Sequence, residues 1–455
     1  MTATNASLAH REETSSFFMT FVFHKLVIGA LLIFYFLILS VLYEMYISPI
    51  FGYRGFTIDR NPYVFWVSIV TIGFVSAVFR VSAKPSSMIL YFYVLFMLIP
   101  QLSYTYNSNG HPYVATLSGM VFFILYFSAK MPMEIVGIRE ISFEKFEKLI
   151  YLFLIFVVGY AFYRLGYDQF GLKIDEVYKR REILELRYDR VLSISIGLSF
   201  ILIVFLSIVK SAEFSLKIFI PLAIGLLLFG MTGHKKFALV PIACVIIYRM
   251  ISLSPKYSFY FVTGSILLAA LYYIFFGLEF VNVLENYKAM FFTMFFTRTL
   301  SIPAQLNDLY FDFFSNNGFL FWSYSKVGLG FFQYDFDWSP AQLVGFHMFT
   351  KGSANTGLIG SGYMNAGTVG VVIYAMIAGV TMAFVDRIAK LRGNRALYTM
   401  LALPSFLIIF TSSDLPNVYF SQGFGVILLM MWLFQIHGQP KTQPAGQPAK
   451  ARMAG

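Results

Sequence analysis

An all-α, polytopic integral membrane protein is the fold class this sequence predicts, and three observations predict it. Hydrophobic residues make up 58% of the chain and charged residues only 13%, against about 25% charged in an ordinary soluble domain. The apolar residues come mostly in blocks of about 17 to 22, the helix length that crosses ~30 Å of hydrocarbon. Lysine and arginine gather in alternate short loops between those blocks, as the positive-inside rule requires. That bias accounts for most of the net charge of +11, so no nucleic-acid partner is needed to explain it.

The elements follow in chain order. Residues 1–25 form a short terminus that the charge pattern places in the cytoplasm. The first apolar block, 26–47, outruns a signal-peptide core and lacks a small-x-small cleavage pattern, so it reads as a retained anchor. Hydropathy then gives spans at 63–79, 87–106, 113–129, 149–166, 191–209, 216–230, 237–253 and 257–277, and later at 366–385, 397–412 and 420–437, about twelve in all. The chain therefore divides into 1–25, a nine-span region 26–277 with a basic segment at 167–190, a long loop 278–365, three further spans in 366–437, and a tail 438–455. That tail, rich in Pro, Gln, Ala and Gly, reads as a disordered cytoplasmic extension. The one cysteine, Cys244, lies inside an apolar run and reads as a small core residue; within one chain it supports neither a disulfide framework nor a cysteine metal site.

With the first terminus inside, five cytoplasmic turns carry the cations. These are Arg80 with Lys84; Lys130, Arg139, Lys145 and Lys148; Lys210 with Lys217; Arg249 with Lys256; and Arg387, Lys390, Arg392 and Arg395. Both ends then face the cytoplasm. The same assignment puts His234, Lys235, Lys236, Arg180, Arg181, Arg187, Arg298 and Lys351 on the outer face, where cations are normally sparse. Repeated exceptions on one face point to an anion held there.

Segment 167–190, "YDQFGLKIDEVYKRREILELRYDR", spaces its apolar residues helically and pairs Glu176 with Arg180 and Arg181 with Glu185. It predicts an amphipathic surface helix; its cations and carboxylates either neutralise one another on a solvated face or present an arginine fork to phosphate oxygens. The long loop is dense in aromatics, at "FFTMFFTR", "LYFDFF", "FLFWSY" and "FFQYDFDW". Most of these rings suit packing or the membrane interface; Tyr310, Asp312, Trp322, Asp335, Asp337 and Trp338 combine rings with carboxylates in the manner of a sugar-binding groove. The loop closes with a glycine-punctuated polar stretch containing His347, Lys351 and Asn355, compatible with a re-entrant turn. The spans themselves carry almost no ionisable interior residue, which weighs against an ion-coupled transporter.

The stretches "VYKRREILELR", "TGHKKFALV", "FTRTLSIPAQLNDLYFDFF" and "NTGLIGSGYMNAGTVGVVIYA", in this membrane architecture over roughly 26–437, resemble the bacterial oligosaccharide repeat-unit polymerases. These are the Wzy-type enzymes of O-antigen, capsule and exopolysaccharide assembly, related to O-antigen ligases. The resemblance implies a GT-C-like, inverting glycosyltransferase of the bacterial inner membrane, with no cofactor, metal ion or nucleotide sugar. Its donor would be a glycan on undecaprenyl pyrophosphate, and its acceptor the distal sugar of a second lipid-linked repeat unit. A chain-length regulator of the Wzz type and the pathway's flippase would be its partners. Members often carry Gly-x-Arg where this chain has Gly233-His234-Lys235, so a point charge replaces a planar fork.

On this reading Arg298 and Lys235 clamp the pyrophosphate, assisted by Arg180 or Arg181. His347 or Asp312 handles the acceptor hydroxyl, and the binding set includes Arg187, His234, Lys236, Tyr310, Lys351 and Asn355. Two other readings share the donor: an O-antigen ligase that delivers the glycan to lipid A core, and a lipid-linked oligosaccharide exporter.

Overall fold

The computed structural model describes residues 25–135, 141–172, 180, 189–276, 295–325, 328, 331–347 and 354–436. The expected residues 1–24, Arg181, Arg187, Lys351, most of 173–188 and the tail beyond 436 lie outside them. Fifteen helices and one pair of short strands form this part of the chain. In order the helices are α1 (Lys25–Arg54), α2 (Pro62–Val78), α3 (Pro85–Ser108), α4 (Pro112–Ser128), α5 (Phe143–Leu165), α6 (Arg190–Ala212), α7 (Leu216–Thr232), α8 (Lys236–Leu253), α9 (Pro255–Phe276), α10 (Ile302–Asn317), α11 (Pro340–His347), α12 (Leu358–Arg392), α13 (Arg395–Thr411), α14 (Leu415–Phe420) and α15 (Phe424–Leu433).

Seven of the described helices are long and apolar enough to cross a membrane, and five shorter apolar helices fall on the remaining expected blocks. The protein is thus mostly helical and polytopic. Its exposed surface has the matching character: Leu149, Leu152, Ile155 and Phe156 on α5 all lie open. Such an apolar face suits lipid rather than water.

Proline starts many of these helices. Pro62, Pro85, Pro112 and Pro303 occupy the first helical positions, where a missing N–H costs nothing and φ is already set. The chain clusters into two compact units. The first comprises Met1–Glu134, Leu253–Arg387 and Ala402–Phe420; the second comprises Ile135–Ser252, Ile388–Leu401 and Ser421–Gly455.

In the first unit α3 is the buried centre, with Met88 to Val94 all in the core. Its end is held by a strap: Asp59 N–H donates to the Asn107 carbonyl at 2.8 Å and Asn61 N–H to the Tyr106 carbonyl at 3.0 Å. Asn61 also caps α2, accepting from the Tyr63 and Val64 N–H groups. Helix α10, from the long loop, packs its Pro303–Asp308 face inward beside α3. A loop merely laid over the outside would not bury these polar residues; the helix is part of the first unit's core.

The expected span 366–385 begins at a real discontinuity. Ala366 and Gly367 leave the helical region within α12, Gly367 at φ +59°. The chain doubles back there: a Cβ at Gly370 would collide with the Gly362 carbonyl, although eight residues of straight helix would separate them by about 12 Å. Glycine at both positions permits the approach.

The second unit gathers α5 to α8 and α15. Lys210 at the end of α6 is buried between Glu147, at 2.7 Å, and Glu213, at 2.8 Å. Arg249 donates to the Ser211 carbonyl at 2.5 Å and lies 3.7 Å from the Phe214 ring centre. Strand β1 (Ile141–Ser142) pairs in parallel with β2 (Phe434–Gln435). The expected span 420–437 is therefore interrupted: Gly423 at φ +84° separates α14 from α15, and an extended strand follows. In segment 167–190, Tyr167–Gln169 is one 3₁₀ turn after Gly166 at φ +92°; the spacing from Ile174 to Tyr188 that predicts the amphipathic helix lies, apart from Arg180, outside the described residues. Cys244 is buried, as its apolar setting implies.

Candidate functional site

The first unit places a histidine and a carboxylate together beside α3's end. Asn109 terminates α3 in the left-handed region at φ +48°, and its side chain bridges Asp59 and Asn61 at 3.0 and 3.2 Å. Gly110 and His111 follow, and Pro112 starts α4. His111 Nε2 lies 3.1 Å from Asp312 Oδ1, with both side chains about half exposed (43% and 50%). An ionised carboxylate only accepts, so it selects the tautomer with hydrogen on Nε2 and leaves the Nδ1 lone pair free to take a proton.

Aromatic rings flank the pair. Phe311 packs 4.7 Å from the His111 ring, 5.3 Å from Tyr113 and 4.9 Å from Tyr363, which in turn meets Phe319 at 5.6 Å. The Tyr113 hydroxyl bonds Thr368 just past the break in α12. Tyr113 and Phe319 are exposed and Tyr363 is buried, so the rings line one side of the pair with apolar surface.

Behind the pair, on the same face of α10 one turn earlier, stands buried Asp308. It accepts from the His111 N–H and from Gln101 Nε2, each at 3.3 Å. Burial pushes its carboxyl well above the usual carboxylate range, against the His111 hydrogen bond that pulls it down. Gln101 and Asn307 join at 2.9 Å, and Asn307 reaches Thr356 and Gly360 at the start of α12.

A second polar cluster lies along the doubled-back part of α12. The Tyr374 hydroxyl donates to Asp414 at 2.8 Å and accepts from Trp322 Nε1 at 3.0 Å and Asn365 Nδ2 at 3.1 Å. Burial pushes Asp414 up to about 6 even though the Tyr374 bond favours its charged form. Trp322 and Phe321 hold positive φ, at 60° and 45°, anchored by main-chain bonds from Leu320 and Phe321 to Met364 and Asn365.

The residues singled out from sequence divide between the units. In the first, Asp312 belongs to the histidine pair. His347 ends α11, exposed, with its ring 5.6 Å from Phe313. Arg298 is exposed in the π-helical turn Thr297–Ser301 that leads into α10. Tyr310 is buried and donates to the Ala354 carbonyl at 2.8 Å, a packing arrangement; Asn355 beside it is exposed.

In the second unit, Gly233 caps α7 at φ +66° and turns the chain so that Lys235 and Lys236 emerge exposed, with His234 half-buried. Lys236 Nζ lies 4.9 Å from the Phe200 ring centre. Arg180 is buried and stacks 5.9 Å from Phe229, so it does not lie on a solvated face. His111 and Asp308 escaped the sequence reading. The available signals were a histidine directly before a helix-starting proline, and two aspartates four apart on a helix.

Compared with family models, with curated proteins and with solved structures, the chain matches none of them.

Proposed function

We propose that the protein is an integral-membrane glycosyltransferase that polymerises oligosaccharide repeat units carried on undecaprenyl pyrophosphate, at the outer face of the bacterial inner membrane. The observation that carries the reading is the half-exposed His111–Asp312 pair beside its aromatic rings. In this mechanism the acceptor hydroxyl gives its proton to His111 Nδ1 while Asp312 stabilises the imidazolium that forms. The freed oxygen attacks the anomeric carbon, the bond to the pyrophosphate oxygen breaks with inversion, and the lipid pyrophosphate leaves with the electron pair. Arg298 is in the same unit, but the helical chain between it and Asp312 separates the two by about 20 Å, so the cation that meets this growing charge is not Arg298. The basic turn His234–Lys236 is assigned to anionic headgroups at the outer surface.

Two further features support this reading. An apolar groove of about 600 Å³ runs along α2 and α4, lined by Thr71, Phe74, Met120, Phe123 and Met376 among others. It begins one turn below Tyr113, so a lipid tail there would leave its headgroup near the histidine. Among the described residues polar contacts also join loops assigned to the same side of the membrane: Ser86 with Asp386 inside, His111 with Asp312 outside. That agreement fits twelve crossings with both ends on one side; the lysine and arginine pattern is what assigns that side to the cytoplasm.

The test is reconstitution in proteoliposomes with an undecaprenyl-pyrophosphate-linked repeat unit, products being sized on a gel. A ladder at one-unit spacing is expected. His111→Ala and Asp312→Asn should each reduce it on the order of 10²- to 10⁴-fold, the usual contribution of a positioned base. A ladder undiminished in His111→Ala at normal protein level removes the mechanism. Delivery of glycan to lipid A core, or movement of the substrate between leaflets without elongation, would replace the polymerase by a ligase or an exporter.

A further inference from the structure

The hydrogen bonds behind the histidine have a polarity that can be read from one end. The Gly360 main-chain N–H can only donate, and it donates to Asn307 Oδ1 at 3.1 Å. Asn307 therefore turns its amide nitrogen to Gln101 Oε1, at 2.9 Å, and Gln101 turns its own nitrogen to Asp308 Oδ1, at 3.3 Å. The other Asp308 oxygen receives the His111 N–H, also at 3.3 Å. Gln101, Asn307 and Asp308 are all buried, so no bulk water substitutes for a missing partner. Gly110 completes the arrangement: any Cβ there would strike Asp308 Oδ2, and only glycine lets the loop come this close.

From this geometry we infer that Asp308 is the positioning residue of the His111–Asp312 pair, fixing His111 through its main-chain N–H and linking it through Gln101 and Asn307 to the start of α12. The inference rests on the proposed role of that pair. Asp308 does not reach the acceptor sugar; it acts through the place it gives the imidazole. Because Asp308 and Asp312 lie one turn apart on one helix, α10 holds the histidine at two points, main chain and ring, and both shift together if the helix moves.

The experiment combines elongation kinetics with amide hydrogen exchange of the full-length protein in nanodiscs. In Asp308→Ala the peptide spanning 109–111 should exchange at least about 10-fold faster while α3 and α10 keep their protection. Turnover should fall on the order of 10²-fold, the penalty for a misplacement near 1 Å, with KM within about twofold of the parent. Gly110→Ala removes no polar group and should reproduce both effects by pushing the loop off Asp308. Asp308→Asn keeps an oxygen for the His111 N–H but sets its amide nitrogen against the Gln101 Nε2 donor, so it should recover only part of the protection and of the turnover.

Unchanged exchange at 109–111 in Asp308→Ala would overturn the assignment, as would wild-type turnover. Loss of protection throughout α3 and α10 would also overturn it, by making Asp308 a general packing residue. If the parent protein makes no ladder, the polymerase reading falls on its own, and the exchange data still decide whether Asp308 holds His111.

Discussion

Asp414 shows how one buried carboxylate ties stability to pH. Burial pushes its carboxyl up to about 6 from the ordinary value of 3.8, so the native state binds more protons than the unfolded chain between those values. Stability must then fall as pH rises from about 4 to about 6. Thermal unfolding in detergent should show this slope, and Asp414→Asn should flatten it; an unchanged slope would place the titration elsewhere. Asp308 is raised in the same direction by burial and adds to the trend. Lys210 behaves differently. Its ammonium is buried against the Glu147 and Glu213 carboxylates, at 2.7 and 2.8 Å. Lys210→Met would leave Glu147 unpaired in a largely buried place while Glu213 is exposed, and should destabilise the second unit by about 1–3 kcal/mol, visible as a lower unfolding midpoint.

Among the elements, the turn after α7 gives the sharpest expectation. Gly233 sits at φ +66° with its N–H on the Phe229 carbonyl at 2.8 Å, a conformation costing other residues about 1–2 kcal/mol. Gly233→Ala should lower the unfolding midpoint, whereas Lys235→Ala next to it should leave it unchanged.

The helices were legible in the sequence because length and hydropathy alone specify an apolar crossing element. The ends were less so. The strand at Phe434 depends on a partner, Ile141, almost three hundred residues away in sequence, and hydropathy carries no long-range pairing. The same limit hid part of the site. Asp312 could be chosen from its own surroundings, but His111 gains meaning only beside α10, which the sequence places some two hundred residues later. The charged neighbours of Arg180 left open a solvated face or a fork on phosphate oxygens, and it is buried near Phe229; a local charge pattern does not tell which side chain turns inward.

For the whole molecule, the two faces assigned from lysine and arginine make a labelling prediction. In a Cys244→Ser background, single cysteines at Asn316 or Asn417 should react with a membrane-impermeant maleimide added outside intact cells. Cysteines at Ser82 or Asn394 should react only after the membrane is opened. The reverse pattern would invert the topology and put the His111–Asp312 pair on the cytoplasmic side.

The pairing of Ile141 with Phe434 also bears on how the protein is made. Each unit is assembled from three separated stretches of chain, and the last stretch of the second begins only at Ser421. A ribosome delivering the chain from its first residue must therefore insert nearly every helix before either unit has all its parts. Early helices wait in the bilayer with unfilled surfaces, which makes them clients for insertion factors and targets for membrane proteases. Translation that stops before Phe434 leaves Ile141 without its partner, so the arrival of that short strand is among the last events of assembly.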